Sequence, residues 1–206
     1  MDLPALDSPL YLIDAIGPFF PGYERFRINW SKLPWIRFQE MEAEELRESF
    51  LQVREDMRTF CRSVAAIGYN GVTLDDVPHL ARHHYLEDPV AARVEVYREE
   101  FRELFRIIHE EGLQIYLTMD ILTLTPALEK QLGKSEKKQR EFLTGLLDRF
   151  FTDFPEVAGV VLRIGESDGL DVKEDFRSRL VLKSPAMVNR CLKAILPVFE
   201  QHRRRC

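Results

Sequence analysis

The chain is poor in residues that staple or ligate. Its three cysteines, Cys61, Cys191 and Cys206, show neither metal-ligand spacing nor a Cys-x-x-Cys pair. Cys61 and Cys191 fall on apolar helix faces, where they read as small core residues, and a reducing compartment suits them. No apolar run approaches the ~20 residues of a membrane span. Met1-Asp2-Leu3-Pro4 lacks the basic-then-apolar opening of a secretion signal. A cytoplasmic chain with no membrane partner is expected. There is no Gly-rich phosphate loop and no Gly-x-Ser-x-Gly elbow, which argues against nucleotide binding and serine-type hydrolysis. Basic charge is also short: the net charge is −5 and the pI about 5.6, so nucleic acid is not an expected partner. The one basic cluster, Arg203-Arg204-Arg205, is expected to be a solvated helix end whose cations suit the negative pole of the helix.

What the chain does have is 206 residues that are 45% hydrophobic and 31% charged, enough for one sizeable core and one domain over 1–206. Four apolar segments read as strands, near 10–17, 71–76, 113–120 and 157–165. The last of them, opening Val157-Ala158-Gly159-Val160-Val161, is nearly continuous in apolar residues, as in a parallel strand buried on both faces. Between the strands lie long amphipathic segments. From Glu42 to Ile67 the residues Leu46, Phe50, Val53, Met57, Phe60, Val64 and Ile67 step by 4 and 3, one apolar stripe that Gly68 ends. Asp88-Pro89 is expected to cap and open the second helix, which Gly112 ends. Ser135 is the expected cap of the third and Ser184-Pro185 the expected start of the last. The residues between Phe19 and Phe38 are irregular and aromatic, with Tyr23, Trp30 and Trp35. These rings either stack on sugar rings or plug one end of the core.

Strand starts at Gly71, Leu113 and Val157 stand 42 and 44 residues apart. Such alternation implies an α/β fold of parallel βα repeats with right-handed crossovers. Four units are present where a closed (β/α)8 barrel needs eight and about 250 residues, so the expectation is half of a TIM barrel, with a small open sheet as the alternative. Every strand ends on carboxylates: Asp14, Asp75 and Asp76, Asp120, then Glu166 and Asp168. That is where α/β folds put their chemistry. Clustered and buried acids raise one another's pKa, and a carboxylic acid kept protonated can protonate a departing glycosidic oxygen. Glu166 is best placed for this, between Gly165 and Gly169. The alternative is that these acids cap turns or pair with Arg163 and His79. Arg163, inside an apolar run, must hold a carboxylate of substrate or protein. His79 either donates to a sugar hydroxyl or sits on a surface loop. His83, His84 and Glu87 do not make a metal site, because adjacent side chains chelate one ion poorly. No cofactor and no metal are expected.

Three of these segments carry a family resemblance. Ala66-Ile67-Gly68-Tyr69-Asn70-Gly71-Val72-Thr73-Leu74-Asp75-Asp76-Val77 resembles the second-strand motif of the microbial α-glucuronidase family of glycoside hydrolases, in which a Gly-Ile-Asn-Gly turn leads into a strand ending Asn-Asn-Val. Glu111 to Asp120 is similar to that family's third strand. Phe154 to Gly159, continuing through Glu166-Ser167-Asp168-Gly169, is similar to its fourth, which carries the general-acid glutamate. Asp75, Asp76 and Asp120 stand where the family has asparagine, and the family's second carboxylate comes from later strands that have no counterpart here.

The resemblance implies a carbohydrate-active barrel. Glu166 is the expected general acid, and Asp14, Asp75, Asp76, His79, Asp120, Arg163 and Asp168 are the expected holders of substrate hydroxyls. A carbohydrate is the expected substrate, and the expected protein partner is a missing C-terminal half-barrel or a second copy joined through open strand edges. Two further readings stay open: a metal-dependent barrel lyase or isomerase with Asp75, Asp120 and Glu166 as oxygen ligands, and a non-catalytic half-barrel that binds sugar or a partner chain.

Overall fold

The computed structural model describes residues 9–20, 31–164 and 175–206. Glu166, Asp168, Gly165, Gly169, Tyr23 and Trp30 lie outside the described residues. Strands β1 (Leu12–Asp14), β2 (Gly71–Asp75), β3 (Gln114–Asp120) and β5 (Val157–Arg163) form one parallel sheet in that order. Helices α2 (Ala43–Ala66), α3 (Asp88–Glu110) and α5 (Glu136–Asp153) connect successive strands, and α6 (Pro185–His202) follows the fourth. The chain is thus α/β with a parallel four-stranded sheet.

Register sorts the side chains. Val72 pairs with Ile115, Leu74 with Leu117, and Leu117 with Val160. Successive residues alternate faces, so these share one face. They join most buried apolar residues of α2, α3 and α5 in one cluster, while Val90 and Val94 of α3 pack separately with Phe176. The other face is polar. Asp14 pairs with Thr73, Asp75 with Thr118, and Asp120 with Arg163. Leu46, Phe50, Val53, Met57 and Val64 of the predicted α2 stripe are buried, with Cys61 among them, whereas Phe60 is half-buried and Ile67 exposed. Cys191 is likewise buried on α6. Gly68 and Gly112 end their helices at φ 101° and 78°, a left-handed turn that favours glycine.

Several expectations need correction. Helix α3 begins at Asp88 with Glu87 in the cap position, and no side-chain cap bond forms there. The first strand is three residues long and gives way to a 3-10 turn at Gly17–Phe19, where Pro18 cannot donate to a ladder. The stretch expected to be irregular ends in a short helix, α1 (Trp35–Gln39), and a further helix, α4 (Pro126–Leu132), follows β3. Thr125 caps α4 by accepting from the Leu128 N–H at 3.3 Å. A two-stranded antiparallel sheet, β4 (Thr123–Leu124) with β6 (Arg177–Ser178), also went unread because each strand is only two residues long. The arginine run is not simply a solvated helix end. Arg203 caps α6 in the left-handed region, while Arg205 pairs in parallel with Gly159, its N–H donating to Ala158 and its carbonyl accepting from Val160, both at 3.0 Å.

Charge also locks the outer layer. Arg47, Arg54, Arg58 and Arg62 of α2 meet Glu99, Glu100 and Glu110 of α3 and Glu111 at its C-cap, in the same order along both helices. That order requires the two helices to run in the same direction, as crossover connections between parallel strands demand.

Candidate functional site on the polar sheet face

The site starts from an alternation seen in two neighbouring strands, Thr73-Leu74-Asp75 and Thr118-Met119-Asp120. The middle residue of each triplet enters the core, so the threonine and aspartate share the polar face. Lys32 reaches across these threonines. Its Nζ donates to Thr73 Oγ1 at 2.6 Å and Thr118 Oγ1 at 2.5 Å, and lies 2.8 Å from Asp14 Oδ1. The Thr73 hydroxyl in turn donates to Asp14. Burial pushes the Asp14 carboxyl up, but the Lys32 and Thr73 hydrogen bonds and the Lys32 charge outweigh it and hold the acid below its usual range.

Asp75 is 1% exposed. Its Oδ2 accepts the Lys32 backbone N–H at 2.7 Å and the Ser31 hydroxyl at 3.2 Å. Its Oδ1 is buried and has no hydrogen-bond partner among the described residues. Burial, followed by the adjacent Asp76 charge, pushes the carboxyl up to about 6, with Lys32 pulling partly the other way. Asp75 is therefore a buried acid poised near neutral pH, the property wanted of a proton donor.

Asp76 turns to His79. Its Oδ1 accepts the His79 N–H at 3.2 Å and lies 2.5 Å from Nδ1 of the ring. The ring is stacked on Trp35 at 3.8 Å and 4° and packs on Phe176 at 4.5 Å. His79 is buried, not on a surface loop as one reading had it, and Trp35 is a core ring, not a sugar platform. The plug reading of the aromatic stretch holds for Trp35 and Phe38. On the far side, Arg163 Nε stands 2.6 Å from Asp120 Oδ1, so the held carboxylate belongs to the protein. The Arg163 charge also reaches Asp14 and Asp75, lowering both.

The structure thus brings Asp14, Asp75, Asp120 and Arg163 to one face and one end of the sheet, with Asp76 and His79 beside them. Sequence reasoning missed Lys32, Thr73 and Thr118. The repeated Thr-x-Asp at two strand ends was a readable signal for the threonines. Lys32 had none, since it comes from an irregular segment with no period. Asp75 faces Lys32 and Asp120 faces Arg163, so two of the three oxygens suggested for a divalent cation already face cations of this chain. No protein-family model matches the chain, and no curated protein matches it.

Proposed function

We propose that the polar end of the sheet binds the hydroxyl groups of a carbohydrate, and that the chain is the first half of a glycoside-hydrolase-like (β/α)8 barrel in which Glu166 is the general acid. The observation that carries this reading is the convergence of Asp14, Asp75 and Asp120, from three neighbouring strands, on one face at the same end. Carboxylates and fixed cations at that end offer paired acceptors and donors, which sugar hydroxyls match. Asp14, whose side chain is half-exposed, is the acid that a ligand meets directly, and buried Asp75 stands behind it with one oxygen unpartnered among the described residues. The half-barrel is supported by a sheet whose spatial order is its chain order, and by the parallel pairing of Arg205 beyond β5. Asp120 and Arg163 orient one another and present the remaining polar atoms to the ligand. Cleavage would draw its second carboxylate from the other half of the barrel.

Saturation-transfer NMR with a panel of neutral hexoses and hexuronates tests the binding step. Transfer to sugar protons that weakens in Asp75→Ala and in Asp120→Ala is expected. Silence across the whole panel sinks the carbohydrate reading. Glycoside cleavage that survives Glu166→Gln unchanged removes the general acid alone.

A second reading has its own observation. Val161, in mid-strand on the polar face, is 36% exposed, and Ile164 beyond it is more so. Among the described residues β1 pairs on one side only. Unpaired strand edges and open apolar side chains recruit another chain, and a second copy supplies both. Sedimentation equilibrium reads a dimer if so, and a monomer at high concentration rejects it.

A further inference from the structure

A cavity of about 600 Å³ lies away from the strand-end carboxylates, between the loop that follows β2 and the outer face of α5. Its size falls among small-ligand pockets, roughly 300–1,000 Å³. Arg82, His83 and Tyr85 line it from the loop. Lys138, Phe142, Gly145 and Arg149 line it from α5, at spacings of 4, 3 and 4 that make one helix face. Of the residues that α5 buries, Leu143, Leu146, Leu147, Phe150 and Phe151, Leu146 alone also lines the cavity.

Three features point to a ligand. First, the charges are not spent. Arg82 is taken by Glu95, and Glu141 on the rim by Lys137 at 3.7 Å. Lys138 and Arg149 have no ion-pair partner among the described residues. Second, one wall is aromatic: His83 packs edge-on to Phe142 at 5.1 Å, and Tyr85 lies 6.1 Å from the same ring. Third, Gly145 stands in the middle of α5, where glycine costs about 1 kcal/mol against alanine. A Cβ there would meet no heavy atom within 4 Å, so no neighbour requires the glycine. Its missing side chain leaves the cavity floor open.

We propose that this cavity binds a ring-bearing organic anion, of the class of aryl and sugar phosphates, with Lys138 and Arg149 on the charge and the His83–Tyr85–Phe142 wall against the ring. Such a site is independent of the sheet-face reading above, because it shares none of its residues.

Calorimetric titration of the full chain with phenyl phosphate, glucose 6-phosphate and inorganic phosphate is the test. At least one ring-bearing ester should bind with Kd of about 1 mM or tighter, and at least about tenfold more tightly than inorganic phosphate. Preference for phenyl phosphate identifies an aryl ligand and preference for glucose 6-phosphate a sugar; either supports the proposal. Equal binding of inorganic phosphate, or no binding by any of the three, overturns it. Gly145→Leu should raise the melting temperature or leave it unchanged while abolishing binding. Retained binding in that variant overturns the proposal. Should it fail to fold, Lys138→Ala with Arg149→Ala, both away from the core, must weaken binding at least about tenfold; unchanged affinity there has the same consequence.

Discussion

Lys32 donates its backbone N–H to Oδ2 of Asp75 at 2.7 Å, while its ammonium stands 3.8 Å from Oδ1 of the same carboxylate. The ammonium is drawn away by Asp14 and two threonines. Asp75 is therefore held in place by Lys32 without being fully neutralised by it. Four predictions follow the chemistry of this face and of the core behind it.

The first concerns pH. The folded-state pKa of Asp75 is raised from 3.8 to about 6, so the folded chain keeps a proton that the unfolded chain releases. Its contribution is fully present below pH 3.8 and is lost as pH rises through about 6. Two pKa units correspond to roughly 3 kcal/mol. Asp75→Asn should match the parent near pH 4 and exceed it in urea-melt stability by about 1–3 kcal/mol at pH 7. A gap that does not change with pH contradicts the burial argument.

His83 has the opposite sign. Burial, and secondarily His84, lower its pKa from 6.5 to about 4, so the unfolded chain binds the extra proton. Stability associated with this ring is present above pH 6.5 and falls away as pH drops toward 4. Between pH 4 and 6 the two residues offset one another in the parent. His83→Gln should flatten the acid limb of the stability curve, just as Asp75→Asn steepens it. Differential scanning calorimetry from pH 4 to 7 separates the two slopes.

Removing Lys32 strands two acids. Lys32→Met leaves Asp14 and buried Asp75 without their cation, a loss on the order of 3–5 kcal/mol for broken buried pairs. Asp14 is half-exposed, which places the expected value at the low end. The loss should shrink at pH 5, where Asp75 holds its proton. Equal destabilisation at pH 5 and pH 8 would show that Lys32 matters for packing and not for charge.

Arg98 is 1% exposed, with one amine on the Leu80 carbonyl, another 2.8 Å from Asp153, and its guanidinium 4.7 Å over the Phe154 ring. It ties α3 to the loop after β2 and to the end of α5. Asp153→Ala leaves that charge buried with less compensation and should cost about 2–4 kcal/mol. Arg98→Lys should not rescue the contact, because an ammonium lacks the planar fork. Urea melts read both variants.

The path from residues to fold is unequal along the chain. The stripe from Leu46 to Val64 has an apolar residue every third or fourth place, and that period alone specifies a helix with one buried side. The strands at Gly71, Gln114 and Val157 were legible because their valines, isoleucines and leucines sit between clear stops. The helices at Trp35 and Pro126 and the pair β4–β6 are too short for any period to show. Arg205 looked like a charged tail because its tie to β5 is made by backbone atoms, which carry no sequence signal.

The sequence by itself determined that strands and helices alternate, that the strands run parallel, and that acids stand at their ends, since local periodicity and chain connectivity suffice for all three. Tertiary structure alone decided which acids act together. Lys32 comes from 43 residues before Asp75 and reaches Asp14, Thr73 and Thr118 only once three strands lie side by side. The poise of Asp75 near neutral pH arises there too, because desolvation depends on what covers a group in space and not on its neighbours in the chain.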